Sequence, residues 1–306
     1  MRALVVDPSA PEAVRLTEVA EPVAGGEDVL VEVREAALNY GDLNDAKSGR
    51  VPPGAVLGSD VAGIVLRSGS GGPPPGTRVV ALVAGAFAER VVVDVGSLAE
   101  VPAGVDLAQA AALPVAGVAA LRALRASGAV LGRRVLVTGA SGGVGRFAVR
   151  LASIAGASVI ASVGRPERGA GLAELGADEV VVGLEGMDGP VDVVLDNVGG
   201  PQLVAAWQLL APGGTLQSIG WTSGEPAVFP PYSTIGPPKS LTSFLNQGAA
   251  ATDLADLVRL VESGALPVEI GWHGPLERFA EAAEALRGRR VNGKAVLTVT
   301  GRLPAS

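Results

Sequence analysis

The sequence predicts an α/β protein in which a β-rich domain is interrupted by a doubly wound, parallel-sheet domain. Three observations carry this. Short Val/Leu/Ile runs divided by turn clusters fill the chain up to about Ala110. Apolar strands then alternate with helical patterns from Leu113 to Asn246, and the tail returns to the first texture. With 306 residues, 48% apolar and 18% charged, the chain has ample material for two cores. Its 43 glycines and 22 prolines imply many turns but show no G-X-Y period.

In the first region, Ala3–Val6, Val29–Glu35, Val61–Leu66, Arg78–Val83 and Phe87–Val93 read as strands. Ala24-Gly25-Gly26 and Gly71-Gly72-Pro73-Pro74-Pro75-Gly76 mark turns between them. Strands this closely spaced suit a small barrel or sandwich. Next, Val135–Thr138 precedes a helix from Val144 to Ile154, and Ser158–Val163 precedes one from Glu167 to Leu175. Val191–Asp196 is followed by the helix Leu203–Leu210 and the strand Thr215–Ile219. Continuous apolar strands with helices between them imply a parallel sheet covered on both faces. In the tail, Leu254-x-x-Leu257-Val258-x-x-Val261 and Phe279–Leu286 have helical spacing, and Ala295–Val299 closes as a strand. The division is therefore 1–112 with 247–306, and 113–246.

Composition removes whole classes of chemistry. With no cysteine, disulfide scaffolds, thiolate zinc sites, iron–sulfur clusters and cysteine nucleophiles are excluded. One histidine, His273, rules out any site that needs two imidazoles; at a strand end before the last helix, it reads as a surface residue with no role. A net charge of −7, with 24 basic residues that do not cluster, argues against a nucleic-acid surface. Met1–Val6 meets Asp7-Pro8 before an export signal forms, and neither Leu107–Leu121 nor Asn197–Gly224 reads as a continuous apolar span of about 20 residues. The expectation is a cytoplasmic protein without membrane or nucleic-acid partners.

The strongest chemical signal is Val135-Leu136-Val137-Thr138-Gly139-Ala140-Ser141-Gly142-Gly143-Val144-Gly145, a strand running through a glycine turn into a helix. Glycines permit the tight turn and the approach of a diphosphate to the backbone, and Gly145 lets the helix pack closely on the strand. Amides at the helix start then face the phosphates. The residues from Gly139 through Ala140, Ser141, Gly142, Gly143 and Val144 to Gly145 are expected to bind a dinucleotide; the alternative is a purely structural turn.

The next strand, Ala157–Val163, ends in Gly164-Arg165-Pro166-Glu167-Arg168, without the acidic residue that usually accepts from the 2′-hydroxyl of NAD. Guanidinium groups at Arg165 and Arg168 suit a 2′-phosphate through charge-assisted hydrogen bonds. NADPH is the cofactor this predicts, with Gly164, Arg165 and Arg168 at its adenosine end. The alternatives are solvated arginines, or Glu167 serving the ribose of NAD. The glycines also satisfy the short-chain dehydrogenase pattern, but that family needs Tyr-x-x-x-Lys. Four residues after Tyr40 and Tyr232 stand Asn44 and Gly236.

Taken in order along the chain, several segments resemble the medium-chain dehydrogenase/reductase superfamily and its zinc-free quinone oxidoreductase branch. They include Ala37-Leu38-Asn39-Tyr40-Gly41-Asp42, Leu57-Gly58-Ser59-Asp60-Val61-Ala62-Gly63-Ile64-Val65, Ala86-Phe87-Ala88-Glu89 and Leu113-Pro114-Val115-Ala116-Gly117. After the glycine turn come Glu174-Leu175-Gly176-Ala177-Asp178, Val194-Leu195-Asp196-Asn197-Val198-Gly199-Gly200, Pro212-Gly213-Gly214 and Gly293-Lys294-Ala295-Val296-Leu297. The resemblance implies a GroES-like β-rich catalytic domain with an inserted Rossmann domain. It places Asn39 near the nicotinamide ribose and Phe244-Leu245 beside the carboxamide, and adds Asn197, Ile219 and Gly220 to the cofactor-binding residues.

Zinc alcohol dehydrogenases of this superfamily carry a ligand Cys where Asn39 stands and a ligand His where Ser59 stands, so the resemblance implies no metal. Without a Lewis acid, the fitting acceptors are those that delocalise negative charge, namely quinones and α,β-unsaturated carbonyls. Tyr40, Asp42 and Lys47 are the nearby titratable candidates for catalysis, and none is assigned. Tyr40 reads as a packed aromatic with a satisfied hydroxyl before it reads as a catalyst. Where some quinone reductases have a tyrosine two residues after the aspartate, this chain has Asn44. Two other functions stay open: an enoyl reductase acting on thioester-bound chains, and a non-enzymatic NADPH-binding protein.

The resemblance also implies a homodimer formed by the last strand of the parallel sheet. Ser240-Leu241-Thr242-Ser243-Phe244-Leu245 is apolar, uncharged and free of proline, with Lys239 just outside it. A monomer usually protects such an edge. The alternative is a helix beginning near Ala250 that covers it within one chain.

Overall fold

The computed structural model describes residues 1–187 and 189–299. The chain forms two compact units, Met1–Val118 with the stretch from Gln247 onward, and Ala119–Asn246. The sequence puts the first division at 112/113. In the structure it lies inside a helix, because the turn-rich texture ends a few residues before the chain changes unit.

The first unit opens with an antiparallel pair, β1 (Arg2–Val6) and β2 (Val14–Glu18). A long strand β3 (Val29–Leu38) follows, then helix α1 (Tyr40–Ser48) and strands β4 (Asp60–Ser68), β5 (Arg78–Leu82), β6 (Arg90–Val93) and β7 (Leu98–Glu100). After helix α2 (Leu107–Ala111), helix α3 (Pro114–Ala126) leads into the second unit. That unit contains β8 (Arg134–Thr138), α4 (Gly143–Ile154), β9 (Ser158–Val163), β10 (Glu179–Val182), β11 (Val191–Asp196), α5 (Gly200–Leu209), β12 (Leu210–Ser218) and β13 (Ser240–Ser243). The chain then returns to the first unit through α6 (Ala251–Glu262), β14 (Ile270–Pro275), α7 (Phe279–Arg287) and β15 (Lys294–Thr298).

In the first unit the sheet order is β14-β15-β3-β4-β5-β7, with β6 also paired to β3. The register sets Ala295 opposite Leu38 and Asp60 opposite Ala37, which brings β15 beside two early segments. The core is built from alternate strand residues such as Val31, Val33, Val61 and Leu297, closed by Leu43 of α1 and Phe279 of α7. Phe87 is fully buried and lies 6.1 Å from the Phe279 ring. Gly58, at φ +97°, faces it so closely that a Cβ there would lie 2.5 Å from the Phe87 ring.

The second unit has a parallel sheet of order β10-β9-β8-β11-β12-β13. From β8 the chain crosses by α4 to β9 on one side, while β11 lies on the other. The order thus reverses between β8 and β11, and the carboxyl ends of these two strands form the crevice where open α/β sheets bind ligands. No helix among the described residues is long and apolar enough to cross a membrane.

Several local elements differ from the expectation. The helix predicted from Glu167 to Leu175 is absent: a single 3₁₀ turn, Pro166–Gly169, gives way to turns. Gly171 at φ +75° and Gly176 at φ +103° adopt conformations that a helix cannot continue. The strand predicted from Phe87 starts at Arg90, and Ile219 lies beyond the end of β12. Helix α1 has no apolar periodicity and went unpredicted. A capping box starts it, in which Asp42 Oδ2 accepts from the Asn39 amide at 2.7 Å. His273 is the clearest correction. It lies within β14, half-buried, with Nε2 3.1 Å from Glu35 Oε2 and 3.0 Å from Thr298 Oγ1.

Candidate functional site

In the second unit the glycine turn follows β8 into α4, whose N-cap is Gly142. Gly139 is left-handed, at φ +59°. A Cβ on Gly145 would lie 2.3 Å from the Gly139 carbonyl oxygen, so only glycine lets the helix approach the turn this closely. The amides opening α4 have no partner within the helix, which concentrates positive potential over the turn. Other groups are already used: Ala140 N–H donates to Ser162 O at 3.0 Å, and Gly142 N–H to Gly139 O at 3.0 Å.

Across the switch point, Asp196 ends β11 and Asn197 follows it. Thr138 Oγ1 donates to Asp196 Oδ1 at 2.6 Å, and the Gly199 amide donates to Asp196 Oδ2 at 2.9 Å. Burial pushes the Asp196 carboxyl up from its ordinary value, against these hydrogen bonds. Asn197 Nδ2 donates to Thr138 O at 2.9 Å, which fixes the amide with its Oδ1 buried and without a partner among the described residues. An unsatisfied buried acceptor is costly, and it marks a place for a donor from a ligand. Ile219 and Gly220 donate their amides to Asp196 O, at 2.8 and 3.1 Å, which holds the loop after β12 against β11. A Cβ on Gly220 would lie 2.9 Å from Asn197 O.

Gly164 follows β9 in open surroundings. Arg165 is exposed, with Nε 3.6 Å from Glu167 Oε1. Arg168 Nε donates to Ser141 Oγ at 3.0 Å, so the arginine side chain reaches back to the glycine turn. Phe244 N–H donates to Ser218 O at 3.2 Å and extends the ladder of β13, while Leu245 is exposed.

In the first unit a polar cluster stands at the end of β3. Lys294 Nζ donates to Asn39 Oδ1 at 2.5 Å and to Asp60 Oδ2 at 3.1 Å. Asp60 Oδ2 also accepts from Asn39 Nδ2 at 3.0 Å, and Oδ1 from the Val115 amide at 2.8 Å. Asp42 lies alongside, its Oδ1 3.5 Å from Ser59 Oγ. Asp42, Asp60 and Lys294 are buried, whereas Asn39, Tyr40 and Ser59 are half-buried. Burial, and then the charge of Asp60, push the Asp42 carboxyl up to about 7, while the Asn39 amide and Lys294 act against this.

The structure thus brings Asn39 and Asp42 together and sets Lys47 apart, 3.1 Å from Glu12. The sequence did not single out Lys294 or Ser59. Its signal for Lys294 was a lysine in an otherwise apolar strand, a position that requires a buried partner.

Comparison with known proteins agrees with this geometry. The family described as alcohol dehydrogenase GroES-like domain matches residues 25–103, and that described as zinc-binding dehydrogenase matches residues 175–297. A quinone oxidoreductase of Escherichia coli, solved in complex with NADPH, superposes with a TM-score of 0.87 at 25% identity, covering 97% of this chain and 100% of that one. The chain is a medium-chain dehydrogenase/reductase of the quinone oxidoreductase-like kind. This superfamily member is 28% identical to acryloyl-coenzyme A reductase of Sulfurisphaera tokodaii, over 97% of this chain and 99% of that protein. It is 34% identical to the spectinabilin polyketide synthase system protein NorB of Streptomyces orinoci, over 92% of its own length. It spans only 14% of that synthase.

A medium-chain dehydrogenase/reductase is an oxidoreductase with a nicotinamide cofactor. The Gly145 cradle and the orphaned Asn197 Oδ1 fit such a group at the switch point. The Asn39 cluster does not fit zinc. Asn39 and Ser59 are poor ligands, and the Lys294 ammonium is already bonded to both Asn39 and Asp60. Among the described residues no three His, Cys, Asp or Glu side chains converge on a metal position.

Proposed function

We propose that the protein is a zinc-independent, NADPH-dependent reductase of quinones or α,β-unsaturated carbonyls. The observation that carries this is the ammonium of Lys294 between Asn39 and Asp60. A protein cation held in this way is not available to polarise an alcohol, so the acceptor itself has to delocalise the charge that hydride addition creates. Quinones and enones do so, as phenolate and enolate.

Reduced nicotinamide supplies the hydride when bound. The amides of Ser141, Gly143, Val144 and Gly145 would receive its diphosphate, and Asn197 Oδ1 would accept a hydrogen bond from it. Arg165 and Arg168 would take the 2′-phosphate, and the Arg168–Ser141 hydrogen bond holds one guanidinium near the turn. Asn39, whose carboxamide orientation is set by Lys294 and Asp60, belongs to the nicotinamide end. Tyr40 stands beside it. The cytoplasm, which maintains an NADPH pool, is the compartment this reading favours.

A second reading is an enoyl reductase acting on thioester-bound chains. It is favoured by the likeness to an acryloyl-coenzyme A reductase over nearly the whole of both chains, and to a polyketide synthase protein. One experiment separates the readings: NADPH oxidation measured with benzoquinone, cyclohexenone and crotonyl-coenzyme A. Turnover confined to the thioester establishes the second reading. Turnover of the quinone or the ketone establishes the first, and binding of NADPH with no turnover of any acceptor rejects both in favour of a non-enzymatic binding protein.

A further inference from the structure

Two carboxylates and one ammonium are buried in the Asn39 cluster, so ionising both carboxylates leaves an uncompensated negative charge. The hydrogen bonds decide which carboxylate is left over. Lys294 is bonded to Asp60, which collects two further donors from Asn39 Nδ2 and the Val115 amide. Asp42 receives the Asn39 amide on Oδ2, and its Oδ1 faces the Ser59 hydroxyl. Ser59 is half-buried, and this is the one hydrogen bond its hydroxyl makes among the described residues.

We propose that Ser59 and Asp42 deliver the proton that completes reduction of a carbon–carbon double bond, with Ser59 as the catalytic acid and Asp42 as the positioning residue that reloads it. The inference rests on the hydride-transfer reading above. Hydride, drawn from the reduced nicotinamide, which becomes oxidised, adds to the β carbon and leaves an enolate. The Ser59 O–H bond breaks as a C–H bond forms at the α carbon. The Asp42 carboxyl proton then moves to Ser59 Oγ, and Asp42 regains a proton from solvent. The net change is one hydride and one proton added across the double bond.

The charge state agrees with this role: the Asp42 carboxyl, raised to about 7 by burial and by Asp60, exchanges its proton near neutrality. The 3.5 Å separation from Ser59 is long, and catalytic hydrogen bonds commonly shorten when the Michaelis complex forms. Other charges facing α1 balance one another. Glu12 lies between Lys47 and Arg287, at 3.1 and 2.8 Å, and Asp45 pairs with Arg50 at 3.5 Å. On α7, Glu281 and Glu284 pair with Arg278 and Arg290. Asp60 and Lys294 remain the charges that act on Asp42.

The test combines kinetics with a titration that needs no acceptor. With cyclohexenone or crotonyl-coenzyme A, S59A is expected to lower kcat by ~100-fold and S59T to restore most of it. D42N is expected to lower kcat similarly and to abolish the decline in rate above about pH 7, and the double variant is expected to be no slower than either single one. Wild-type kcat in S59A, or an unchanged pH profile in D42N, overturns the relay while leaving the functional reading intact. Failure of the wild type on every acceptor overturns the functional reading. Independently, carbon NMR of aspartate carboxyls in the wild type should show one group titrating near neutrality; Asp42 titrating in the ordinary carboxylate range overturns the relay even where a variant fails to fold.

Discussion

Lys294 Nζ lies 3.1 Å from Asp60 Oδ2, with both side chains buried. This ion pair joins the last described strand, β15, to a strand 234 residues earlier. Buried pairs of this kind contribute little when exchanged whole for apolar groups, but the loss of one partner strands a charge.

Lys294→Met is therefore expected to destabilise the protein by about 3–5 kcal/mol, the usual cost of leaving a buried carboxylate unpaired. Lys294→Met combined with Asp60→Leu should recover much of that loss. Urea unfolding of the two variants and the wild type reads this directly. A single variant as stable as the wild type rejects the pairing.

Replacing Arg165 and Arg168 by alanine should weaken NADPH far more than NADH. Removing one charge-assisted hydrogen bond costs about 1.5–3 kcal/mol, roughly ten- to a hundredfold in affinity. Calorimetric titration with both cofactors measures it. Equal losses for the two, or a wild-type preference for NADH, count against a 2′-phosphate site.

Stability should fall as the pH rises through neutrality. Asp42 has an ordinary value of 3.8 and a folded value of about 7, so the folded state binds the extra proton and stability drops from about pH 4 to about 7. The hydrogen bond to Glu35 raises His273 above 6.5, so its contribution is complete below that value and is lost as the pH climbs through the folded one. Asp196, raised by burial, adds in the same direction. Denaturation midpoints followed across this range should decline in the wild type and less steeply in D42N and H273N. Midpoints that rise with pH would contradict both assignments.

The sheet edge at β13 is expected to pair with a second copy of this chain. All four residues of β13 are exposed, and Trp221, Val228, Tyr232, Ile235 and Leu245 add exposed apolar surface in the same unit. Sedimentation at micromolar concentration should report a dimer. Leu241→Lys with Leu245→Lys should shift it to monomer by placing charge on the edge. A monomeric wild type sinks the proposal, whereas a dimer indifferent to both lysines sinks this edge.

The parts legible in the sequence are those written in contiguous residues. Thr138 to Gly145 spells a strand, a turn that only glycine can make and a helix start, so its position and chemistry need no distant information. The alternation from Val135 to Ile219 likewise announces a parallel sheet, because each strand must be apolar on both faces. The fold class and the strand–glycine turn–helix unit from β8 into α4 were determined at this level. Tertiary structure alone decided the rest. Lys294 reaches Asn39 across 255 residues because β15 lies beside β3 in a register that sets Ala295 opposite Leu38. Asp60 joins them because β4 lies on the other side of β3. His273 gained Glu35 and Thr298 through the same sheet. Which carboxylate keeps a proton depends on desolvation and on which partner the lysine meets, and both are properties of strand register and packing that no run of neighbouring residues records.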